Sequence, residues 1–108
     1  MISYITNEYG LRDGDMAFMR HAFETVPAID KVILYGSRAS GLYKNGSDID
    51  LALIGNVTKQ DISKILQALE SGSPALLSYD IIAYSSINNA ALKRQVDINA
   101  KVIYSRNK

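Results

Sequence analysis

The chain has 108 residues, 47% of them hydrophobic and 21% charged, a composition typical of one globular domain. Its net charge of +1 gives no electrostatic basis for direct nucleic-acid binding, and the absence of cysteine excludes disulfide bonds and thiolate metal sites. No apolar run is long enough to span a membrane, and the first ten residues lack the pattern of a signal peptide. We therefore expect a single domain over residues 1–108, in the cytoplasm and without a membrane partner.

The pattern of apolar residues predicts three helices, one short helical turn and four strands. The first half begins with a helix capped by Asp13 or Asp15 and ended by Pro27, followed by a buried strand over 31–35 that Gly36 stops. A helical turn over 37–41 and a loop with an Asn45-Gly46 turn then lead to a strand over 48–54. The second half has a helix capped by Thr58 and ending near Gly72, a strand over 75–84, a helix from about Asn88 to Asn99, and an edge strand over 101–105. This order predicts an α/β or α+β fold, in which helices pack against a small mixed β-sheet.

Two acidic residues at the start of the second strand are the first candidates for chemistry. Because side chains alternate along a strand, Asp48 and Asp50 share a face. Two carboxylates this close repel each other unless a cation or a hydrogen-bond donor compensates. They could be exposed at the mouth of a strand without any chemical role, but they follow a Gly-Ser that itself ends a strand, which favours a site. A divalent metal such as Mg²⁺, which takes hard oxygen ligands, would relieve the repulsion.

Further residues could complete such a site. Asp80 lies in the third predicted strand and could be the third carboxylate of a site for two metal ions, although alone it is more typical of an edge-strand surface. Gly36 would let a phosphate approach the backbone, and the Ser37 hydroxyl could donate to phosphate oxygens, unless the pair is an ordinary strand-ending turn. Arg38 and Lys44 flank the loop and could either meet phosphate charge or be solvated loop residues.

Three tyrosines lie near these candidates. Tyr35 ends the first predicted strand and is expected in the core. Tyr43 lies on the loop and could stack on a base or cover the surface, and Tyr84 could border a base pocket. The single histidine, His21, lies in the first helix, where a packing or surface role is expected and catalysis is not.

One motif carries a family resemblance. Gly36-Ser37, ten intervening residues and Asp48-Ile49-Asp50 fit the G-S-x10-D-x-D signature and resemble the nucleotidyltransferase superfamily of DNA polymerase beta. The fuller pattern LYGSRASG…SDIDLALI and the short chain are similar to the minimal nucleotidyltransferases, known as MNT proteins. Ser40 stands where many members have arginine, so a basic contribution at that point is not expected.

The resemblance implies the nucleotidyltransferase fold and an activity. Members of the family transfer a nucleoside monophosphate, usually AMP from ATP, to a hydroxyl and release pyrophosphate, with Mg²⁺ as the cofactor. By resemblance, Asp48, Asp50 and Asp80 would be the ligands of two Mg²⁺ ions, and Asp80 would also help to activate the attacking hydroxyl. Gly36 and Ser37 would hold the triphosphate.

The resemblance also implies a partner. Many MNT proteins bind a helical HEPN-domain protein, often an RNase toxin, and act as the antitoxin by adenylylating a tyrosine on it. A homo- or hetero-oligomer is expected on the same grounds. Two alternatives stay open: a catalytically silent subunit that neutralises its partner by binding, and a transferase for a small molecule such as an aminoglycoside. The chain has no room for an additional acceptor domain, which favours an acceptor on a second protein.

Overall fold

The structure is a computed structural model, and it describes residues 6–44, 46–72 and 77–106. Its elements are α1 (Asp13–Glu24), β1 (Ile29–Tyr35), α2 (Ser37–Ser40), β2 (Ile49–Gly55), α3 (Lys59–Gly72), β3 (Tyr79–Ala83), a 3₁₀ turn (Tyr84–Ser86), α4 (Ala90–Ile98) and β4 (Lys101–Ser105). The order is the predicted one; Asn45 of the predicted turn and residues 75 and 76 of the predicted third strand lie outside the described residues. Within the described ranges, no helix has both the length and the apolar character needed to cross a membrane.

The strands of the described residues form one four-stranded mixed sheet in the order β3-β2-β1-β4. Strand β1 is antiparallel to β2 and to β4, whereas β2 and β3 run parallel. The predicted α+β class, with its small mixed sheet and its edge strand β4, is therefore confirmed. Because β1 runs against its neighbours, its carboxyl end lies beside the amino ends of β2 and β3, and this edge of the sheet brings Tyr35, Asp50 and Asp80 together.

The two faces of the sheet pack against different helices. The larger core lies between the sheet and the helices α1 and α3, and its fully buried members include Met19, Phe23, Val32, Leu34, Ile49, Leu51, Leu53, Ile65 and Leu69. A smaller cluster on the other face contains Ile33, Tyr35, Ala52 and Val96 of α4. The predicted alternation of β2 is thus confirmed, since its odd-numbered residues enter the larger core and Ala52 packs on the α4 face.

The helix starts depend on reciprocal contacts. The cap of α1 is Arg12 and not the predicted Asp13 or Asp15, because Asp15 acts from inside the helix: its carboxylate accepts the Arg12 backbone N–H at 3.0 Å. An acid at this position satisfies an otherwise free amide and interacts favourably with the positive end of the helix. Helix α3 starts as predicted, with the Asp61 N–H donating to Thr58 Oγ1 at 3.1 Å and the Thr58 N–H donating to Asp61 Oδ2 at 2.9 Å.

Candidate active site

Three side chains stand in a row across the sheet. Asp50 of β2 pairs with Tyr35 of β1 on one side and with Asp80 of β3 on the other. The three residues line a pocket of about 470 Å³ on the α4 face. The other residues around it are Gly36, Ser40, Leu42, Leu92, Gln95, Ile98 and Asn99. The structure therefore brings Asp50 and Asp80 together, as the sequence predicts.

The electrostatics of the pocket are those of clustered negative charge. Burial raises the pKa of Asp50, and the neighbouring charges of Asp80 and then Asp48 raise it further. Burial also raises the pKa of Tyr35 to about 12, with added contributions from Asp80 and Asp50. Among the described residues, no ion pair involves any of the three acids. The described part of the chain therefore holds these carboxylates near one another without an ion pair to neutralise them.

Gly36 lies against the carboxylate of Asp50. Its backbone has φ +76° and ψ −155°, a conformation that glycine alone adopts readily. A Cβ at this position would contact Asp50 Oδ2, so a side chain here would displace the acid. Ser37 begins α2 directly after this turn, and the Ser40 hydroxyl donates to the Ser37 carbonyl at 3.1 Å. Gly36 of the predicted Gly-Ser turn thus lines the pocket next to Asp50, whereas Ser37 is not among the lining residues.

Arg38 and Lys44 are placed away from the pocket. The Arg38 guanidinium is buried and donates to backbone carbonyls, among them that of Ser47 at 3.0 Å. Lys44 has an exposed side chain, and its backbone N–H donates to Ser47 Oγ at 2.8 Å. Neither residue lines the pocket. Their predicted contact with phosphate therefore has no support from this geometry.

A comparison with protein families decides the class of this site. Residues 19–108 match the family described as polymerase beta, nucleotidyltransferase. The chain belongs to this nucleotidyltransferase family. The match covers both the Gly-Ser turn and the three acids, so the enzyme class and the superfamily predicted from the sequence are confirmed. A search of functionally curated proteins gave no match.

Several solved structures with the same fold as this nucleotidyltransferase are toxin–antitoxin complexes. A toxin–antitoxin crystal structure with AMP-PNP superposes with a TM-score of 0.67 at 20% identity, covering 90% of this chain and 76% of the other. The toxin–antitoxin MntA-HepT gives 0.65 at 18% identity, with 87% and 73% covered. A tri-AMPylated Shewanella oneidensis HEPN toxin in complex with MNT antitoxin gives 0.63 at 18% identity, with 84% and 70% covered. At these identities the likeness shows a shared fold.

The acids of the nucleotidyltransferase fit a divalent metal only in part. Among the described residues, no three His, Cys, Asp or Glu side chains are grouped so that they could hold a metal ion by themselves. Asp48 is exposed just before β2, and Asp80 is exposed on β3. Mg²⁺, however, is usually bound by one or two carboxylates together with substrate phosphates and water. Asp50, with Asp48 and Asp80 near it, could supply the one or two carboxylates of such a site.

Sequence reasoning missed part of the pocket wall. Tyr35 was expected in the core, yet it also lines the pocket beside Asp50, and its position directly before Gly36 was the signal. Gln95 and Asn99 of the last helical segment have no signal in the sequence, because only the packing of α4 brings them there. Tyr84, expected near a base pocket, is not a lining residue; its hydroxyl donates to Asp97 Oδ1 at 2.9 Å.

Proposed function

We propose that this nucleotidyltransferase transfers AMP from ATP, with Mg²⁺, to a hydroxyl of a HEPN-domain protein and so acts as the antitoxin of a toxin–antitoxin pair. The observation that carries the proposal is the pairing of Asp50 with Asp80 beside the Gly36 turn, in one pocket. The similar complex in which a HEPN toxin is tri-AMPylated and bound to an MNT antitoxin supports the choice of group and acceptor.

The residues have distinct tasks in this reaction. The acceptor oxygen attacks the α-phosphorus of ATP, the bond from that phosphorus to the β-bridging oxygen breaks, and pyrophosphate leaves. Asp80 orients the acceptor hydroxyl and takes its proton, because it is the exposed acid of the pair and meets an acceptor from solvent. Asp48 and Asp50 would hold Mg²⁺, and the glycine at position 36 leaves room for the phosphates. Mg²⁺ supplies neutralisation of the triphosphate charge and alignment of the reacting oxygens.

The rim of the pocket favours a protein as the acceptor. Leu42 and Ile98 line the pocket although they are 79% and 72% exposed. Exposed apolar side chains around a polar site are typical of a protein-binding surface, and they do not suit a highly hydrated aminoglycoside. A hydroxyl presented by a second protein, such as a tyrosine on an ordered loop, would cover this rim as it enters the pocket.

A transfer assay tests the proposal. The purified chain is incubated with α-labelled ATP, Mg²⁺ and a HEPN-domain protein from the same genome, beside the Asp48→Asn/Asp50→Asn double variant. Asp30→Asn is the matched control, because Asp30 is an exposed acid at the far end of β1. Label on the partner with the native chain and the control, but not with the double variant, would support AMP transfer. A stable complex without label would instead indicate a catalytically silent binding subunit.

A further inference from the structure

The buried guanidinium of Arg38 has no carboxylate partner among the described residues. Arg38 is 4% exposed, and Nε and Nη2 both donate to the Ser47 carbonyl, at 3.2 and 3.0 Å. Its Nη1 donates to the carbonyls of Tyr9 and Gly10, at 2.9 and 3.4 Å. The Tyr43 ring lies 5.4 Å from the guanidinium carbon. Burying a charge is costly unless it is well compensated, and here carbonyl dipoles and an aromatic face provide the compensation.

These contacts tie three separate segments together. A Cβ on Gly10 would come within 3.0 Å of Arg38 Nη1 and would also meet the Tyr43 ring, so the backbone of the N-terminal segment packs directly on both side chains. Asn7 closes that segment into a turn, since its carbonyl accepts the Gly10 N–H at 3.0 Å and its side chain accepts the Leu11 N–H at 3.1 Å. Arg38 is therefore held between the N-terminal segment and the loop that contains Tyr43 and Ser47. Tyr43, expected to stack on a base or cover the surface, instead covers Arg38.

The carbonyl that Arg38 holds belongs to the residue directly before the acids. Ser47 precedes Asp48, and β2 starts at Ile49, so the position of the Ser47 carbonyl determines how the loop joins the strand. We propose that Arg38 is a positioning residue for the acids: its two hydrogen bonds to the Ser47 carbonyl fix the backbone from which Asp48 and Asp50 project. Arg38 touches no reacting group, and its effect on catalysis rests on the proposed function. A lysine cannot make this pair of hydrogen bonds, because it lacks the two coplanar donors of a guanidinium.

The chain contains a matched control for this arginine. Arg106 is partly buried, and its guanidinium also donates to backbone carbonyls, from Nε to Ile29 at 2.9 Å and from Nη2 to Val26 at 2.9 Å. Arg106 follows β4 and contacts the first residue of β1, whereas the pocket lies at the other end of β1. The variants Arg38→Lys and Arg106→Lys therefore disturb the same kind of contact, near the acids in one case and far from them in the other.

Metal–nucleotide binding separates a positioning role from a purely structural one. Each variant is titrated with Mn²⁺ and a non-hydrolysable ATP analogue, and binding is measured by calorimetry and by the electron paramagnetic resonance of Mn²⁺. Residues that orient metal ligands typically contribute roughly 10- to 100-fold to affinity, so Arg38→Lys should raise Kd by about tenfold or more. Arg106→Lys should leave Kd unchanged, although both variants melt at lower temperature. Native affinity in Arg38→Lys, or an equal loss in Arg106→Lys, would overturn the assignment.

Hydrogen exchange without nucleotide keeps this inference distinguishable from the proposed function. The Ser47 N–H donates to the Lys44 carbonyl at 3.0 Å and the Ile49 N–H to the Ser78 carbonyl at 2.8 Å, so both amides report on the position of the loop. Faster exchange at these amides in Arg38→Lys, and not in Arg106→Lys, supports the positioning role. It does so even if the native chain binds no nucleotide, because that lack of binding would overturn only the proposed function. Unchanged exchange at both amides would overturn the positioning role.

Discussion

Asp50 and Asp80 lie opposite each other on the parallel strands β2 and β3, and burial together with the charge of Asp80 raises the pKa of Asp50. Their closeness follows from the fold, because helix α3 returns the chain so that the amino ends of both strands meet at one edge. Neither carboxylate is paired with a cation among the described residues. The arrangement therefore disfavours the ionised carboxylate of Asp50 in the free protein and would favour a bound cation. One substitution at Asp50 should for this reason change both stability and activity.

Asp50→Asn should stabilise the free protein and inactivate the enzyme. The folded pKa of Asp50 is raised, so its ionised form destabilises the fold above that pKa, and the destabilisation disappears as the pH falls through it. At pH 7 a neutral amide removes both the cost of burying the charge and the repulsion from Asp80. The melting temperature without metal should rise, while transfer should fall by about 100-fold or more through loss of a charged ligand. Thermal melts and the labelled-ATP assay measure both effects.

Asp30→Asn is the control for that experiment, because Asp30 is exposed and far from the pocket. It should change neither the melting temperature nor the transfer rate appreciably. A drop in the melting temperature of Asp50→Asn at neutral pH would show that hydrogen bonds to the carboxylate outweigh the repulsion in the free protein, contrary to the prediction.

The spacing of the motif predicts how Asp48 and Asp50 lie relative to each other, but it does not predict the position of Asp80 relative to them. Alternation along a strand predicted that Asp48 and Asp50 share a face, and the Gly-Ser before the loop predicted the turn beside them. That Asp80 lies next to Asp50 depends on the pairing and register of β2 and β3, which local sequence does not encode. A shift of one residue would have turned Asp80 to the other face of the sheet.

The contacts of Arg38 differ from the predicted ones for a similar reason. Arg38 follows the Gly-Ser directly, which suggested contact with phosphate. Its actual partners include the carbonyls of Tyr9 and Gly10, far away in the sequence, and backbone acceptors leave no residue-type signal. The cap of α1 was misplaced for a related reason, because Arg12 is not a typical cap and only the contact from Asp15 reveals it.

Gly36→Ala should disrupt the site more than an equivalent change nearby. Gly36 and Gly41 both have positive φ, +76° and +87°, so alanine is strained at either position, by roughly 1–3 kcal/mol. Only at Gly36 would the new Cβ meet the Asp50 carboxylate, since no atom of the described residues lies within 4 Å of a Cβ at Gly41. Gly36→Ala should therefore lose metal–nucleotide binding, whereas Gly41→Ala should retain it with a lower melting temperature. Calorimetry of both variants checks this, and equal binding losses would contradict it.

Asp80→Asn should slow the chemical step without preventing nucleotide binding. Asp80 is exposed on the edge strand β3, so the amide should not disturb folding. Loss of the group that accepts the proton should lower kcat by roughly 10²- to 10⁴-fold. The KM for ATP should change far less, because the other acids and the Gly36 turn remain. Steady-state kinetics measure the two constants, with Glu70→Gln, an exposed acid of α3, as the control. A change confined to KM would assign Asp80 to nucleotide binding instead.

Leu42→Ser and Ile98→Ser should weaken transfer to a protein acceptor and leave the fold intact. Both side chains are more than two-thirds exposed, at 79% and 72%, so their truncation removes little from the core. If the rim contacts the acceptor protein, each change should lower kcat/KM for that protein by about tenfold, or ~1.4 kcal/mol. Val102→Ser is the control, because Val102 is also exposed, at 58%, but does not line the pocket. Metal–nucleotide binding, measured in parallel, should be native in all three variants; a loss in Leu42→Ser or Ile98→Ser would assign the rim to the nucleotide.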